Sequence, residues 1–472
     1  MKQNLVGKLG LVSGLILLLL FTFIPVPKSM TPLAFRMIGI VLLVAVWWLT
    51  EALEMGVTAL IPLILLPVYG VCTPSKAAGA YVNSSVFLYM GGFMIALAME
   101  YSGLHIRIAM TALKKFGTRP RNVILAIMIV TWFLSMWMSN TATVLMLVPT
   151  CMAVASGFTE NATKRFLNPL LLGTAYAASL GGMATFVGSA PCGMYAAMAE
   201  QNPDMNTSFV QWMMFCLPLT FAMLLICWFM LVRLLYPVWN DNESLSPEYV
   251  DQQLAKIGNM KKHEARVLMI FIFVAILWIV RGLVKAPWTD KVSDASIAIA
   301  GAIGMFMASD GKGGKVLNWE IAKKMPWDIL ILFGGGLCLS MGVVESGLGR
   351  EISMAFASMS NFNPFVFLLI VVTSVVFITE IMSNTATATL LIPIMYAVAT
   401  GMGVNARVLV LPVTLATGMA FMLPVATPPN AIVFGIRTLS VKEMGKAGFY
   451  MNVISIIAIT LASYFILPEV NW

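Results

Sequence analysis

This chain carries little charge for its length. Of its 472 residues, only 11% are charged and 60% are apolar, whereas a water-soluble domain has about 25% charged and about 45–50% apolar residues. No globular core needs so much apolar surface, so the surplus side chains face lipid. The composition excludes an ordinary soluble protein and indicates an integral membrane protein in a lipid bilayer.

Residues that build metal centres and nucleophilic active sites are also scarce. The chain has two histidines, and none of its six cysteines forms a Cys-x-x-Cys pair. It therefore offers little for a His-based metal site or for catalysis centred on a histidine. The ATP-binding pattern G-x-x-x-x-G-K-[ST] is absent, and the run DGKGGK at 310–315 has the wrong spacing for it. An enzyme, an organic cofactor and an ATP-driven pump are not expected.

Apolar runs, by contrast, are abundant, and a membrane-spanning helix needs about 20 such residues. The pattern predicts an all-α polytopic membrane protein with eleven transmembrane helices. No cleavage site of the A-x-A type follows the first run, so we interpret it as a span and not as a signal peptide. The predicted spans are residues 9–27, 32–50, 56–71, 86–99, 166–200, 208–236, 265–284, 294–309, 327–346, 406–436 and 448–467.

Lysines and arginines cluster in loops that fall on one side of the membrane, provided that two further apolar stretches, 122–160 and 364–400, each enter and leave on the same side. Positive residues favour the cytoplasmic side. We therefore expect a plasma (inner) membrane protein with its N-terminus in the cytoplasm and its C-terminus outside. The net charge of +8 is then an orientation signal, and no nucleic-acid partner is expected. The basic segments are 1–8, 100–121, 237–266, 310–326 and 435–448.

These two further stretches share a motif. The string MSNTATVLMLVP at 138–149 recurs as MSNTATATLLIP at 382–393, with eight of twelve positions identical. Each copy lies between two apolar arms that are too short to span comfortably, which predicts a helical hairpin that enters the membrane and returns. By the span count, the first hairpin enters from inside and the second from outside. The chain is thus predicted to contain two inverted-topology repeats.

Each predicted hairpin is followed by an interrupted span. The segments are LGGMATFVGSAPCGM at 180–194 and LPVATPPNAIVFG at 423–435, where Gly and Pro break the helix and free backbone groups. Hydroxyl, amide and carbonyl oxygens suit an alkali cation, and half-helix N-termini suit an anion such as a carboxylate. The pattern favours two cation sites around an anion near the membrane midplane. Packing of small residues between helices is the alternative.

Glu380 stands three residues before Ser383, within the second hairpin. A carboxylate inside a membrane is a candidate for function. It can equally serve a structural role, with hydrogen bonds from backbone amides of the hairpin tip. Both interpretations remain open from the sequence.

The motifs together resemble the divalent anion:sodium symporter family, the INDY-like dicarboxylate transporters. The resemblance rests on the paired Ser-Asn-Thr tips, the Gly-Ser-x-Pro loop after the first and the Ala-Thr-Pro-Pro-Asn loop after the second, and it covers nearly the whole chain. It implies eleven spans plus two re-entrant helical hairpins, a homodimer, and an elevator mechanism in which a transport domain moves against a scaffold domain.

The resemblance also implies a division of the chain into segments that belong to these two domains. The segments are 1–121 (N-terminal helices, mainly scaffold), 122–236 (transport-domain half 1), 237–264 (cytoplasmic loop), 265–363 (scaffold helices of the second repeat) and 364–472 (transport-domain half 2).

When the family's motif is matched to this sequence, the resemblance implies binding residues at the tips and in the loops that follow them. The first sodium site matches Ser135, Ser139, Asn140 and Gly188, and the second matches Thr379, Asn384 and Ala426. A C4-type dicarboxylate is expected to meet Asn140, Thr141, Ser189, Asn384, Thr385 and Thr427.

One loop departs from the family pattern. Family members commonly have Gly-Ser/Thr-Pro-Pro-Asn in the first loop, where this chain has Ala190 and Cys192 in place of the first proline and the asparagine. The second copy, which ends in Asn430, is intact. The departure concerns the first sodium site, because the lost amide is a group that can brace the loop.

The expected function is sodium-coupled symport of a C4 dicarboxylate such as succinate, malate or fumarate, with Na⁺ as the coupling ion. A sodium-independent dicarboxylate exchanger of the same fold is the alternative, and sulfate or a tricarboxylate is a possible substrate of either. An exchanger is expected to carry a basic side chain near a tip, and neither motif contains Lys, Arg or His. The sequence offers no catalytic cluster for a membrane-embedded enzyme. A hairpin site does not supply the continuous pore ring that a channel needs.

Overall fold

The computed structural model describes residues 2–116, 119–156, 160–237, 255, 257–284, 286, 289, 291–311, 313–357 and 363–469. Within these ranges the regular structure is helical, apart from one isolated bridge between Ser309 and Lys315. The all-α class predicted from the sequence is therefore confirmed. Most of the predicted cytoplasmic loop 237–264 lies outside the described residues.

Helices α1–α12 occupy the first half of the described chain. They are α1 (Lys2–Phe23), α2 (Pro32–Thr50), α3 (Met55–Thr58), α4 (Ile61–Val68), α5 (Pro74–Gly79), α6 (Ser84–Ser102), α7 (Leu104–Phe116), α8 (Pro120–Ser135), α9 (Asn140–Ala155), α10 (Glu160–Gly182), α11 (Ala190–Gln201) and α12 (Phe209–Phe229).

Helices α13–α22 occupy the second half. They are α13 (Lys262–Leu283), α14 (Asp294–Met307), α15 (Trp319–Ala322), α16 (Trp327–Glu345), α17 (Leu348–Ala357), α18 (Pro364–Thr379), α19 (Asn384–Met402), α20 (Ala406–Thr417), α21 (Pro428–Gly435) and α22 (Val441–Leu461). Short π-helical turns extend α12 over Met230–Leu235 and α22 over Ala462–Ile466.

Within the described ranges, eight helical stretches are long and apolar enough to cross a membrane. Seven of them coincide with predicted spans, and the eighth is α19, an arm of the second predicted hairpin. The sequence pattern predicted an arm too short to span the membrane, whereas the helix in the structure has 19 residues. The predicted spans 56–71, 166–200, 294–309 and 406–436 are shorter or interrupted helices.

The two predicted hairpins have the same local construction. Helix α8 is followed after four residues by α9, and α18 is followed after four residues by α19. Pro120 and Pro364 open the first arms, where proline is favoured because the N–H it lacks has no partner within the helix. The helix restarts after the first tip because the Ser139 hydroxyl accepts a hydrogen bond from the Ala142 N–H at 3.2 Å.

Each pair of arms packs on the helix that leads into its own broken segment. The arms α8 and α9 pack on α10, and the arms α18 and α19 pack on α20. The first site loop, residues 183–189, then separates α10 from α11, and the second site loop, residues 418–427, separates α20 from α21. This arrangement holds each tip beside a loop of non-helical backbone.

The helices that follow the loops cross over to the opposite half. Helix α11 packs on α19 and α20 of the second half, while α21 packs on α9 and α10 of the first. The two copies of the motif are 244 residues apart in the chain. The packing of these helices nevertheless joins both tips and both site loops in one body. Away from this body, α1 exposes apolar side chains such as Leu5, Leu9 and Leu19, as expected for a lipid-facing surface.

Candidate functional site

At the first tip, three oxygen atoms from helices α8, α9 and α10 lie close together. The buried Ser135 hydroxyl oxygen lies 2.7 Å from Asn140 Oδ1 and 2.8 Å from the carbonyl oxygen of Ala178. A hydroxyl carries one proton and can donate to only one of these two acceptors. We call this set the first oxygen cluster; it holds more lone pairs than protons, which is the environment that a cation completes.

The second tip repeats the arrangement atom for atom. The buried Thr379 hydroxyl oxygen lies 2.8 Å from Asn384 Oδ1 and 2.9 Å from the carbonyl oxygen of Thr417. In both halves the hydroxyl residue precedes the asparagine by five positions, and the carbonyl belongs to the helix before the site loop. This second oxygen cluster has the same excess of acceptors over protons.

Close backbone approach around the first cluster depends on two glycines. A Cβ atom on Gly182 would lie 2.2 Å from Asn140 Oδ1. A Cβ atom on Gly188 would lie 2.7 Å from the carbonyl oxygens of both Ser135 and Gly182. Any side chain at these positions would therefore occupy the space next to the oxygens.

The structure places the sodium-site residues carried over by motif as follows. Ser135, Asn140 and Gly188 lie together at the first cluster, and Thr379 and Asn384 lie together at the second. Ser139 instead caps α9 with its side chain. Ala426 is buried in the second site loop, where its N–H donates to the Leu423 carbonyl at 3.2 Å.

Three participants were missed by sequence reasoning. They are the carbonyl groups of Ala178 and Thr417 and the glycine at 182. Both carbonyls belong to helices, α10 and α20, and every residue carries a carbonyl, so no sequence signal marks them. For the glycine, the Gly181–Gly182 pair at the end of α10 was the available hint, because glycine lets other groups approach the backbone closely.

The expected substrate residues lie where four helices begin. Asn140 and Asn384 are the first residues of α9 and α19, and Ser189 and Thr427 immediately precede α11 and α21. The Thr427 hydroxyl accepts the Asn430 N–H at 3.2 Å, which caps α21. Thr141, Ser189 and Thr385 are half-buried. Helix N-termini carry partial positive charge and unpaired N–H groups, so this arrangement can hold an anion without a basic side chain.

Glu380 is held by the second site loop and not by the tip. Its carboxylate accepts hydrogen bonds from the N–H groups of Phe421, Met422 and Leu423 at 2.7, 2.9 and 3.2 Å. The structural interpretation is thereby favoured, but the partner amides are those of the loop, 41–43 residues further along the chain.

The intact second loop is also braced by Asn430. Its side-chain Nδ2 donates to the carbonyl oxygens of Ala420 and Leu423 at 3.2 and 3.1 Å. At the corresponding place in the first loop, the Cys192 thiol lies 3.6 Å from the Gly182 carbonyl, again ten residues earlier in the chain. The thiol is a weak donor. It stands where the second loop has an amide group that donates two hydrogen bonds.

Other neutral side chains connect the first loop to its surroundings. The Trp212 indole donates to the Met183 carbonyl at 3.1 Å, and the Tyr89 hydroxyl donates to the Ser189 carbonyl at 3.0 Å. The Thr185 hydroxyl donates to the Met136 carbonyl. The two loops thus occupy equivalent positions in the two halves, but different side chains hydrogen-bond to their backbones.

Sequence comparison gives one family match over almost the whole chain. The family model described as the sodium:sulfate symporter transmembrane region matches residues 6–468. Sodium-dependent dicarboxylate transporters named SdcS are 35% identical to this chain. For the one from Staphylococcus saprophyticus, 99% of this chain and 93% of the relative are covered; for one from Staphylococcus aureus, the values are 98% and 91%.

Solved structures provide a comparison at the level of the fold. The YdaH transporter of Alcanivorax borkumensis matches with a TM-score of 0.58 and 15% identity, over 86% of this chain and 89% of that one. MtrF of Neisseria gonorrhoeae matches with a TM-score of 0.58 and 15% identity, over 82% of each chain.

Proposed function

Because this chain belongs to the sodium:sulfate symporter family, we propose that it couples the movement of Na⁺ to that of a C4 dicarboxylate such as succinate, malate or fumarate. The chain is an integral membrane transporter and not an enzyme. The observation that carries the proposal is the pair of matched oxygen clusters, each beside helix N-termini. The names of the SdcS relatives support both the ion and the dicarboxylate class.

In this proposal the first Na⁺ binds at Ser135, Ser139, Asn140 and Gly188, and the second at Thr379, Asn384 and Ala426. The Ala178 and Thr417 carbonyls join the respective sites, since they face the same hydroxyl oxygens. The dicarboxylate lies between the two ions and meets Asn140, Thr141, Ser189, Asn384, Thr385 and Thr427. Each asparagine then contacts an ion and a carboxylate, which makes binding of one depend on the other.

The proposed transport cycle is an elevator movement. The hairpins α8–α9 and α18–α19, which enter from opposite faces as inverted repeats, move with the rest of residues 122–236 and 364–472 as a transport domain. The scaffold consists of residues 1–121 and 265–363. The interlocking of α11 with α19 and of α21 with α9 supports a single moving body. The proposal includes eleven spans, a homodimer, a cytoplasmic N-terminus and an outside C-terminus.

The runner-up is a dicarboxylate exchanger of the same fold that does not use sodium. The altered first loop favours it, because Cys192 provides a weaker brace than Asn430 does in the second loop. The absence of a basic residue from both motifs weighs against it.

Transport by the purified protein in proteoliposomes distinguishes the two. We expect labelled succinate to accumulate with an inward Na⁺ gradient and not when K⁺ replaces Na⁺, with protein-free liposomes as the control. The K⁺ condition is repeated with unlabelled succinate inside. Accumulation in K⁺ that requires internal succinate would contradict symport and support the exchanger.

A second prediction concerns the altered loop. Cys192→Asn is expected to lower the Na⁺ concentration for half-maximal transport, because the added amide can donate to the Gly182 carbonyl as Asn430 does to Ala420. One intramolecular hydrogen bond contributes about 0.5–1.5 kcal/mol, or about two- to tenfold in a binding constant. Cys192→Ala, which removes the thiol without adding an amide, is the matched control. A clear rise for Cys192→Asn would mean that the loop has been adapted to cysteine.

A further inference from the structure

We propose that Glu380 is a positioning residue: its carboxylate fixes the backbone of the second site loop so that the second Na⁺ site is formed before the ion arrives. This inference rests on the proposed function, since it assigns a role within the second cation site. It extends that function to a residue that contacts neither ion nor substrate in the proposed arrangement.

The surroundings of the carboxylate contain hydrogen-bond donors. Oε1 accepts from the N–H groups of Phe421 and Met422 and from Asn452 Nδ2, the last at 2.8 Å, and Oε2 accepts from the Leu423 N–H. The Glu380 side chain is only 4% exposed. A carboxylate is an acceptor with no proton to donate, so these four donors match it, and bonds to a charged acceptor are stronger than neutral ones.

The opposite edge of the same peptide groups is held as well. In a trans peptide the N–H and the preceding carbonyl point in opposite directions. The Ala420 carbonyl accepts from Asn430 Nδ2 at 3.2 Å, and the Phe421 carbonyl accepts from the Tyr176 hydroxyl at 3.1 Å. Two successive peptide groups are therefore fixed from both sides, by Glu380 on one and by neutral side chains on the other.

Glu380 links this loop directly to the second oxygen cluster. It follows Thr379, whose hydroxyl faces Asn384 Oδ1 and the Thr417 carbonyl. Asn452 of α22 fixes the carboxylate from a third element. A change that releases the carboxylate from the loop therefore alters the end of α18 and the loop leading to Ala426 and Thr427 together.

In the described part of the first half, no carboxylate occupies the equivalent place. The residue that follows Ser135, in the place of Glu380, is Met136, whose backbone carbonyl receives the Thr185 hydroxyl. The supports of the first site loop described above are neutral side chains. Because the Glu380 carboxylate holds the second site loop and neutral side chains hold the first, we expect loss of Glu380 to affect the second cation site and to leave the first intact.

The test is Glu380→Gln, assayed in two ways. In proteoliposomes we expect the Na⁺ concentration for half-maximal succinate transport to rise about tenfold or more, while the KM for succinate at saturating Na⁺ changes less. In purified protein we expect the Na⁺ concentration that gives half of the Na⁺-dependent rise in melting temperature to shift by a similar factor. Glu345→Gln, which removes a half-exposed glutamate paired with Lys76, is the matched control and should shift neither.

A merely structural role would lower the melting temperature in K⁺ and leave both half-maximal Na⁺ concentrations unchanged; that result overturns the proposal. If Glu380→Gln does not fold, Asn452→Ala, which removes one of the four donors, should raise the Na⁺ requirement by a smaller factor of about two- to fivefold. An unchanged requirement there would also overturn it. Wild-type protein without any response to Na⁺ would contradict the proposed function itself, and this inference with it.

Discussion

Replacing Asn140 or Asn384 by alanine is expected to reduce Na⁺-driven succinate transport at least about a hundredfold while the protein still folds. Each substitution removes an Oδ1 atom that lies 2.7 or 2.8 Å from the hydroxyl of its oxygen cluster. In the proposed site each asparagine contacts both an ion and a carboxylate, and a hydrogen bond to a charged group contributes about 1.5–3 kcal/mol.

Folding should survive because both residues are the first of their helices and only half-buried, and alanine has a higher helix propensity than asparagine. The measurement is initial uptake in proteoliposomes, normalised to reconstituted protein, with elution on size exclusion as the folding check. The matched control is Asn206→Ala, since Asn206 is exposed and holds Arg407 through its backbone carbonyl. Uptake at the wild-type rate in both tip variants would refute the site assignment.

Gly182→Ala is expected to lose transport nearly as completely as Asn140→Ala. The new methyl group would lie 2.2 Å from Asn140 Oδ1, far inside van der Waals contact, so the amide has to leave the first oxygen cluster. The obstructed atom is the end of a side chain and not backbone, so the amide can move away and the fold can persist. Function is then lost through displacement of one oxygen ligand.

A double-mutant cycle makes this prediction specific. Because Gly182→Ala acts by displacing Asn140, adding it to Asn140→Ala should cause little further loss of uptake. The matched control is Gly79→Ala, since a Cβ atom on this exposed glycine meets no atom within 4 Å. Additive losses in the double variant would show that Gly182 acts on something other than Asn140.

The elements that carry the function followed from local sequence patterns. The doubled Ser-Asn-Thr motif predicted two tips, and the structure starts α9 and α19 at the asparagines of those motifs. Glycine and proline predicted that the segments 166–200 and 406–436 would be interrupted, and each is split by a site loop. Both predictions depend on residues close together in the chain, whose backbone preferences act wherever the segment is placed.

Boundaries and lengths were less well determined. The arm α19 is long enough to cross a membrane, although the pattern indicated a shorter one. The arm begins with the threonines and alanines of the motif, which are polar or small, so hydropathy alone did not place the limits of this helix. In the structure this helix packs on α17, α20 and α11.

By itself, the sequence determined that this is a polytopic helical membrane protein and that its two halves carry the same motif. Through the family resemblance it also indicated which hydroxyl and amide side chains belong to the two proposed sodium sites. Only the tertiary structure decided which backbone carbonyls complete the oxygen clusters, and which loop amides hold the Glu380 carboxylate. The reason is physical. Side-chain types are written in the sequence, whereas carbonyl and amide groups are identical at almost every residue, and only long-range packing selects the few, such as those of Ala178, Thr417 and Phe421, that meet a partner.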